Sequence, residues 1–304
     1  MLFVVDSSIE ALLSGVDVYD ADVDALDLLA VAVAEGKHRM TGARGTLRAL
    51  FRQTRLHRRT HAVLHEAITR VEADLALQDS MSVYALVNSS NAMRPTSEFI
   101  EGKRIVNVPL RWIDDSEKVQ PTILLAENLV DASILENMVR AVREFDPTLG
   151  IPIRSRHLLG GGQTTAAVFN ELATRDVLCA CVVDSDRRCP LGPAGNTAKA
   201  LQDGNDLTRF PMASVVQTIG MDLENTLPDL FFEEVYGNDV NHTPTIAVIK
   251  RLTELGERDA RSHLDLKKGL TLRDVFKGGG GLSSAGILGT QIACDSRYRR
   301  KIIK

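Results

Sequence analysis

Five acidic residues and a run of three glycines are the residues most suited to chemistry in this chain. Glu127 follows the apolar run 122–126, Asp131 comes four residues later, and Asp184 and Asp186 follow the apolar run 177–183. Glu224 lies in a further polar stretch, Met221-Asp222-Leu223-Glu224-Asn225. Gly160, Gly161 and Gly162 fall between Glu127 and Asp184. In an extended segment residues i and i+2 share a face, so Asp184 and Asp186 are expected to turn their carboxylates into one crevice, with Ser185 facing away. Two such carboxylates repel each other unless a cation lies between them. Oxygen-only donors with room for water suit Mg2+ or Mn2+, and phosphate oxygens can complete the shell. The glycines, followed by Gln163 and Thr164, could cradle a phosphate at a helix N-terminus. Each feature also has a plain structural reading: a surface pair opening a loop, a first-turn acid at Asp131, and a tight strand-to-helix turn at the glycines.

Such groups need elements that bring strand ends together. Residues 122–126 read as a strand, 132–145 as a helix, 151–157 as extended, 164–175 as a helix and 177–183 as a buried strand. This βαβαβ order predicts an α/β fold, a parallel sheet flanked by helices, with functional groups just beyond the carboxyl ends of its strands. Upstream, apolar residues recur at helical spacing, as in Leu47, Leu50 and Phe51 or Leu64, Ile68, Val71 and Leu75, so residues 6–78 are expected to be mainly helical. Strands are expected at 83–87 and 105–110 and a boundary near 114–120. The expected organisation is a mainly helical N-terminal region at 1–118, a catalytic domain at 119–235, and a C-terminal extension at 236–304 with a basic tail after Gly278 to Gly281.

Glu127-Asn-Leu-Val-Asp131, the glycine turn and Val182-Val183-Asp184-Ser185-Asp186 occur in the order of a Toprim domain, and this third of the chain resembles that family. Asn128 departs from the family pattern, in which glycine is commoner after the glutamate. The resemblance implies a Toprim-like fold in which the glutamate serves as general acid or base or as a metal ligand, and the aspartates hold a divalent ion. A carboxyl beside metal and phosphate can exchange a proton with the attacking or leaving oxygen. Asp131 is a further candidate ligand. Glu224-Asn225 resembles the glutamate-asparagine element of the nuclease branches, including overcoming-lysogenization-defect nucleases and related phage-defence effectors, which makes Glu224 a candidate second ligand. The family reading implies a Mg2+- or Mn2+-dependent nuclease acting on DNA or RNA, working with a sensor protein or as a homo-oligomer. Some Toprim nucleases also have a lysine downstream of the acids. Here His263-Leu-Asp265-Leu-Lys267-Lys268 alternates as a half-buried strand would, making Lys267 and Lys268 candidates to neutralise charge on a phosphate. A charged strand edge that blocks sheet pairing is the other reading of that segment.

Composition limits the alternatives. The 304 residues are 44% hydrophobic and 25% charged, with a formal charge of -4, so polyanion binding must be local. Six arginines between Arg44 and Arg59, and Arg297, Arg299, Arg300, Lys301 and Lys304 in the tail, are the two basic clusters. The four cysteines contain no CxxC pair and are expected to be free thiols in a reducing cytoplasm. No apolar run approaches a membrane span, and no membrane partner is expected. Seven histidines supply no zinc pattern, and no cysteine module of a primase or tyrosine setting of a topoisomerase is evident. Arg52 with His57, and Arg59 with His65, leave open a HEPN-type ribonuclease. From a different class, a catalytically silent nucleic-acid-binding or assembly module would use the acids structurally.

Overall fold

The computed structural model describes residues 1–15, 19–145, 154–188, 192–206, 209–256, 261–264 and 266. It is an α/β protein with one mixed and one parallel sheet, each flanked by helices.

The first sheet begins with β1 (Leu2–Val5), buried along its whole length. Helices α1 (Ser7–Ser14) and α2 (Asp20–Ala34) lead to β2 (Arg39–Gly42). Then α3 (Arg44–Phe51) and α4 (Arg58–Ser80) cross to β3 (Val83–Asn88), followed by β4 (Thr96–Ile100) and β5 (Lys103–Pro109). The strand order is β2-β1-β3-β5-β4, and only the β4–β5 hairpin is antiparallel. The region is helical for most of its length, as its periodicity predicts, yet it is organised around this sheet. β2 escapes a sequence reading because Arg-Met-Thr-Gly holds a single large apolar residue. Its arginine is tolerated there because the Arg39 guanidinium is paired with Asp74 on α4, both nearly excluded from water. In α4, Thr60, Val63, Leu64, Ala67, Val71 and Asp74 are buried at three- and four-residue spacing, one face against the sheet.

At the expected boundary near 114–120 the chain stays packed. Val119 is buried in the same core as Phe3, Leu26 and Leu64, and its carbonyl is 3.1 Å from Nε2 of buried His38. Burial holds that imidazole neutral, with its pKa lowered to about 3.

The second sheet contains β6 (Thr122–Ala126), followed by α5 (Leu129–Phe145), then β7 (Ser155–Leu159), α6 (Thr165–Thr174), β8 (Cys179–Val183), α7 (Asn196–Ala200) and β9 (Ala213–Gln217). Its order is β7-β6-β8-β9, parallel as expected from the βαβαβ pattern. Helices α8 (Asp229–Tyr236) and α9 (Thr243–Glu254) follow. Two compact units result, Met1–Cys181 with Asp203–Val215, and Val182–Gln202 with Val216–Lys304. This division interleaves along the chain and so departs from the linear boundaries at 118 and 235 expected above. Within the first unit, Arg94 grips Asp176 through two hydrogen bonds of 2.8 and 2.9 Å, and Arg104 donates to the carbonyls of Phe210 and Pro211. Among the described residues no helix is long and apolar enough to cross a membrane.

The Arg39–Asp74 pair generates a direct test. Removing one partner strands a buried charge, which typically costs about 3–5 kcal/mol. Asp74→Ala is expected to lower the urea midpoint of unfolding accordingly, whereas a loss below about 1 kcal/mol would show that the pair does not hold β2 to α4.

Candidate functional site

Ser185 holds the acidic loop in place. β8 ends at Val183, and the chain then leaves the sheet. The Ser185 amide donates to Thr218 Oγ1 at 2.9 Å, and its hydroxyl, 1% exposed, donates to the Gly220 carbonyl at 2.5 Å. On either side, Asp184 Oδ1 accepts from the Leu223 amide at 2.8 Å, and the Asp186 amide donates to the Met221 carbonyl at 2.9 Å. Four hydrogen bonds thus tie three consecutive residues to 218–223. Ser185 is buried where the two acids are not, but the extended-strand premise behind a shared face fails at Asp186, whose φ is +52°. That left-handed turn is sterically disfavoured for a residue with a Cβ. Asp186 is exposed, Asp184 half-buried. The Asp186 carboxylate lies directly over Gly195, where any Cβ would collide with it, and the Gly195 amide donates to the Ser185 carbonyl at 2.9 Å.

The segment that receives these bonds carries Glu224. Residues 223–226 form a single 3-10 turn with a reciprocal cap: the Asp222 amide donates to Asn225 Oδ1 at 2.9 Å, and the Asp222 side chain accepts from the Asn225 backbone. The regular helix starts only at Asp229, after Pro228. Asn225 is 4% exposed, and its amide nitrogen donates to the carbonyls of Arg261 and Leu264 at 3.2 and 3.0 Å. The Arg261 guanidinium returns the contact, donating to the carbonyls of Asn225 and Leu227 and to Asp229. The Met221 amide donates to the Ser262 carbonyl at 2.7 Å, and His263 Nδ1 is 2.7 Å from the Arg187 carbonyl. Residues 261–264 therefore brace the segment that braces the acids. None of them stood out in the sequence as a support, and Asn225 was singled out only as half of the glutamate-asparagine pair.

At the described start of the expected period-two strand, His263 and Leu264 are not in a strand. The Leu264 amide donates to the Arg261 carbonyl, a helical turn. Lys267 and Lys268 lie outside the described residues, as do Asp265 and the basic tail.

In the first unit, Glu127 follows β6 as expected and is half-buried. Its carbonyl accepts from the Gly161 amide at 3.1 Å, and the Gly160 amide donates to the Ala126 carbonyl at 2.8 Å. The glycine run is thus a turn that closes onto the end of β6. Gly161 and Gly162 have φ of +75° and +61°, and a Cβ at Gly160 would overlap the Thr165 side chain. The phosphate-cradle expectation for Gly160, Gly161 and Gly162 is revised: two of its three amides are spent on β6 and Glu127. Asp131 is revised as well. Its Oδ2 accepts from Asn128 Nδ2 at 2.6 Å and its amide donates to Asn128 Oδ1 at 2.9 Å, a reciprocal cap on α5. Asn128, the departure from the family pattern, is explained by this capping. Burial pushes the Cys181 thiol up to about 12, with Cys179 and the Glu127 carboxylate adding to it; Cys179 is raised similarly by burial, and both are free and buried.

Among the described residues no group of three or more histidine, cysteine, aspartate or glutamate side chains converges as a ready-made metal site. The donors available in the second unit, Asp184, Asp186 and Glu224, are all carboxylate oxygens. Carboxylate oxygen is the donor type that Mg2+ takes, usually one or two at a time with several waters. In comparisons with known proteins, no family model, no curated protein and no solved structure matches the chain.

The brace can be tested apart from any activity. Asn225→Ala leaves two carbonyls and the Asp222 amide without the side chain that satisfies them, and each buried unsatisfied group costs about 1–3 kcal/mol. The variant is expected to melt at lower temperature, with hydrogen exchange accelerated at Leu223 and Asp186. Unchanged exchange at those two amides would show that Asn225 does not support the acidic loop.

Proposed function

We propose that the chain is a Mg2+-dependent nuclease of Toprim type that hydrolyses phosphodiester bonds, as a bacterial anti-phage effector. The observation that carries the reading is the bonding of the Asp184-Ser185-Asp186 loop to residues 218–223, which run directly into Glu224-Asn225, so that two motifs singled out for the same chemistry, 40 residues apart, are joined by hydrogen bonds next to both.

In this reading Asp184 and Asp186 hold the ion, and Glu224 is the further ligand. When bound, Mg2+ supplies positive charge that offsets the charge building on the phosphate. The protein's own part is positioning. Leu223 fixes one oxygen of Asp184 by its amide, and Gly195 leaves room for the Asp186 carboxylate. Glu127 is the proposed general acid or base; the Gly161 amide holds its backbone at the end of β6, and its half-buried side chain is a suitable proton carrier. Asp131 is assigned to capping rather than to metal.

The experiment is cleavage of labelled single- and double-stranded DNA and RNA by the full chain, in Mg2+ or Mn2+ and in EDTA. Wild type is expected to cut at least one substrate only with metal. Asp184→Ala and Asp186→Ala should each lower the rate by about 100-fold or more, since one electrostatic contact in a transition state is commonly worth that much. Glu127→Gln should slow the chemical step with metal affinity nearly retained, while the thermal midpoint of all three variants stays within a few degrees of wild type. Wild-type rates in the aspartate variants would overturn the assignment, and a protein inert towards every substrate would favour the silent binding module.

A further inference from the structure

The stretch from residue 43 to 65 contains six arginines, three histidines and no aspartate or glutamate. With 40 acids in 304 residues, about three would be expected in a stretch of that length. A chain of net charge -4 has therefore segregated positive charge onto one helix-loop-helix of its first unit. Arg44, Arg48 and Arg52 are four residues apart and share a face of α3 and its C-cap. Arg44 is paired with Glu72 and Arg55 with Asp20. Among the described residues no acidic side chain pairs with Arg48, Arg52 or Arg58, and all three are exposed. Phe51, 38% exposed, ends α3 within this positive field, its ring edge-on to His61 at 5.4 Å and tilted against His65 at 6.1 Å.

The surface is preorganised. α3 is anchored through buried Thr46, Leu47 and Leu50, and α4 through Thr60, Val63 and Leu64. The connection between them is pinned by buried Asp27, whose Oδ1 accepts from the His57 amide at 3.2 Å and from the Thr60 hydroxyl, while its Oδ2 is 3.2 Å from His57 Nδ1. This contact also bears on a HEPN reading: Arg52 caps α3 and His57 caps α4, so the two do not share a helix.

We infer that this face is a docking surface for a single strand of nucleic acid, with Arg48, Arg52 and Arg58 contacting phosphates and Phe51 offering an aromatic face to a base. The inference rests on the reading of the chain as acting on nucleic acid and adds the surface that holds the substrate strand. Guanidinium groups recognise phosphate oxygens by two parallel hydrogen bonds, and unpaired arginines leave that capacity available. Aromatic stacking beside a basic track is the general solution for single strands, whose bases are open to it. A duplex, with its bases stacked inside, gives Phe51 nothing to contact.

The test is fluorescence anisotropy with the full chain and a labelled single-stranded oligonucleotide of about 15 nucleotides. Working in EDTA, across salt from about 50 to 200 mM, reads binding without cleavage. Arg48→Ala/Arg52→Ala/Arg58→Ala is expected to weaken binding about tenfold or more at low salt. The slope of log Kd against log salt should fall by about 2, since each single-strand phosphate contact contributes about 0.7. Phe51→Ala should weaken binding several-fold with the slope unchanged, and Arg140→Ala, an arginine paired with Glu136 on another helix, should do neither. An unchanged slope in the triple variant, tighter binding of a duplex, or tighter binding of anionic phospholipid vesicles than of the oligonucleotide would overturn the inference. The two readings fail separately: wild-type binding by the triple variant with metal-dependent cleavage intact would remove only the docking surface. Strong, arginine-dependent binding by a protein that cuts nothing would remove only the nuclease.

Discussion

The acids at the end of β8 are held by neighbours that carry no charge. Asp184 and Asp186 flank a serine buried against the Gly220 carbonyl, and the same three residues are bonded to Thr218, Met221 and Leu223. Carboxylates collected in a loop repel one another, and a loop free to relax would spread them apart. Backbone hydrogen bonds oppose this without adding charge. The neighbouring contacts serve that constraint in turn: Asn225 caps the receiving segment, residues 261–264 bind Asn225, and Arg261 reaches back to the carbonyls of Asn225 and Leu227. Gly195 completes it by leaving space where any side chain would displace Asp186.

The first unit applies the same economy to Glu127. Its position is set by a turn in which glycines adopt φ values that other residues rarely take, with their amides spent on the carbonyls of Ala126 and Glu127. Asn128 and Asp131 start the following helix by capping each other. Polar residues beside Glu127 thus belong to the scaffold. Farther back, two buried aspartates are each matched with a guanidinium, Asp22 with Arg111 and Asp74 with Arg39, and Asp27 accepts from the His57 amide and the Thr60 hydroxyl. Such pairs explain how a sheet whose helices carry so many charged residues can still exclude water from its core.

What the sequence discloses follows from what its periodicity encodes. The parallel sheet was legible because the short apolar runs 122–126 and 177–183 alternate with helical periodicity, as strands covered on both faces by helices require. β2 was hidden by Arg39, an ion-paired residue that polarity alone assigns to the surface. The acids at strand ends were legible from their placement after those runs. The roles of the glycines and of Asp131 were not, since an amide that faces a phosphate and one that faces a carbonyl have the same sequence. The link from Asp184 to Leu223 is a contact across 39 residues made by a backbone amide, and no residue type announces it. The extent of the first unit was equally illegible, because Val119, at the expected boundary, is buried by tertiary packing that no local pattern encodes.

The central claim is that Asp184 and Asp186 hold a divalent ion together with a phosphate. The most direct measurement is a Mn2+ titration of the full chain followed by electron paramagnetic resonance, in the presence of a phosphorothioate oligonucleotide that resists cleavage. Wild type is predicted to remove about one equivalent of Mn2+ from the free signal, and Asp184→Asn/Asp186→Asn, which keeps the side-chain shape and removes both charges, is predicted to lose that binding. Equal Mn2+ binding by the two proteins would contradict the account.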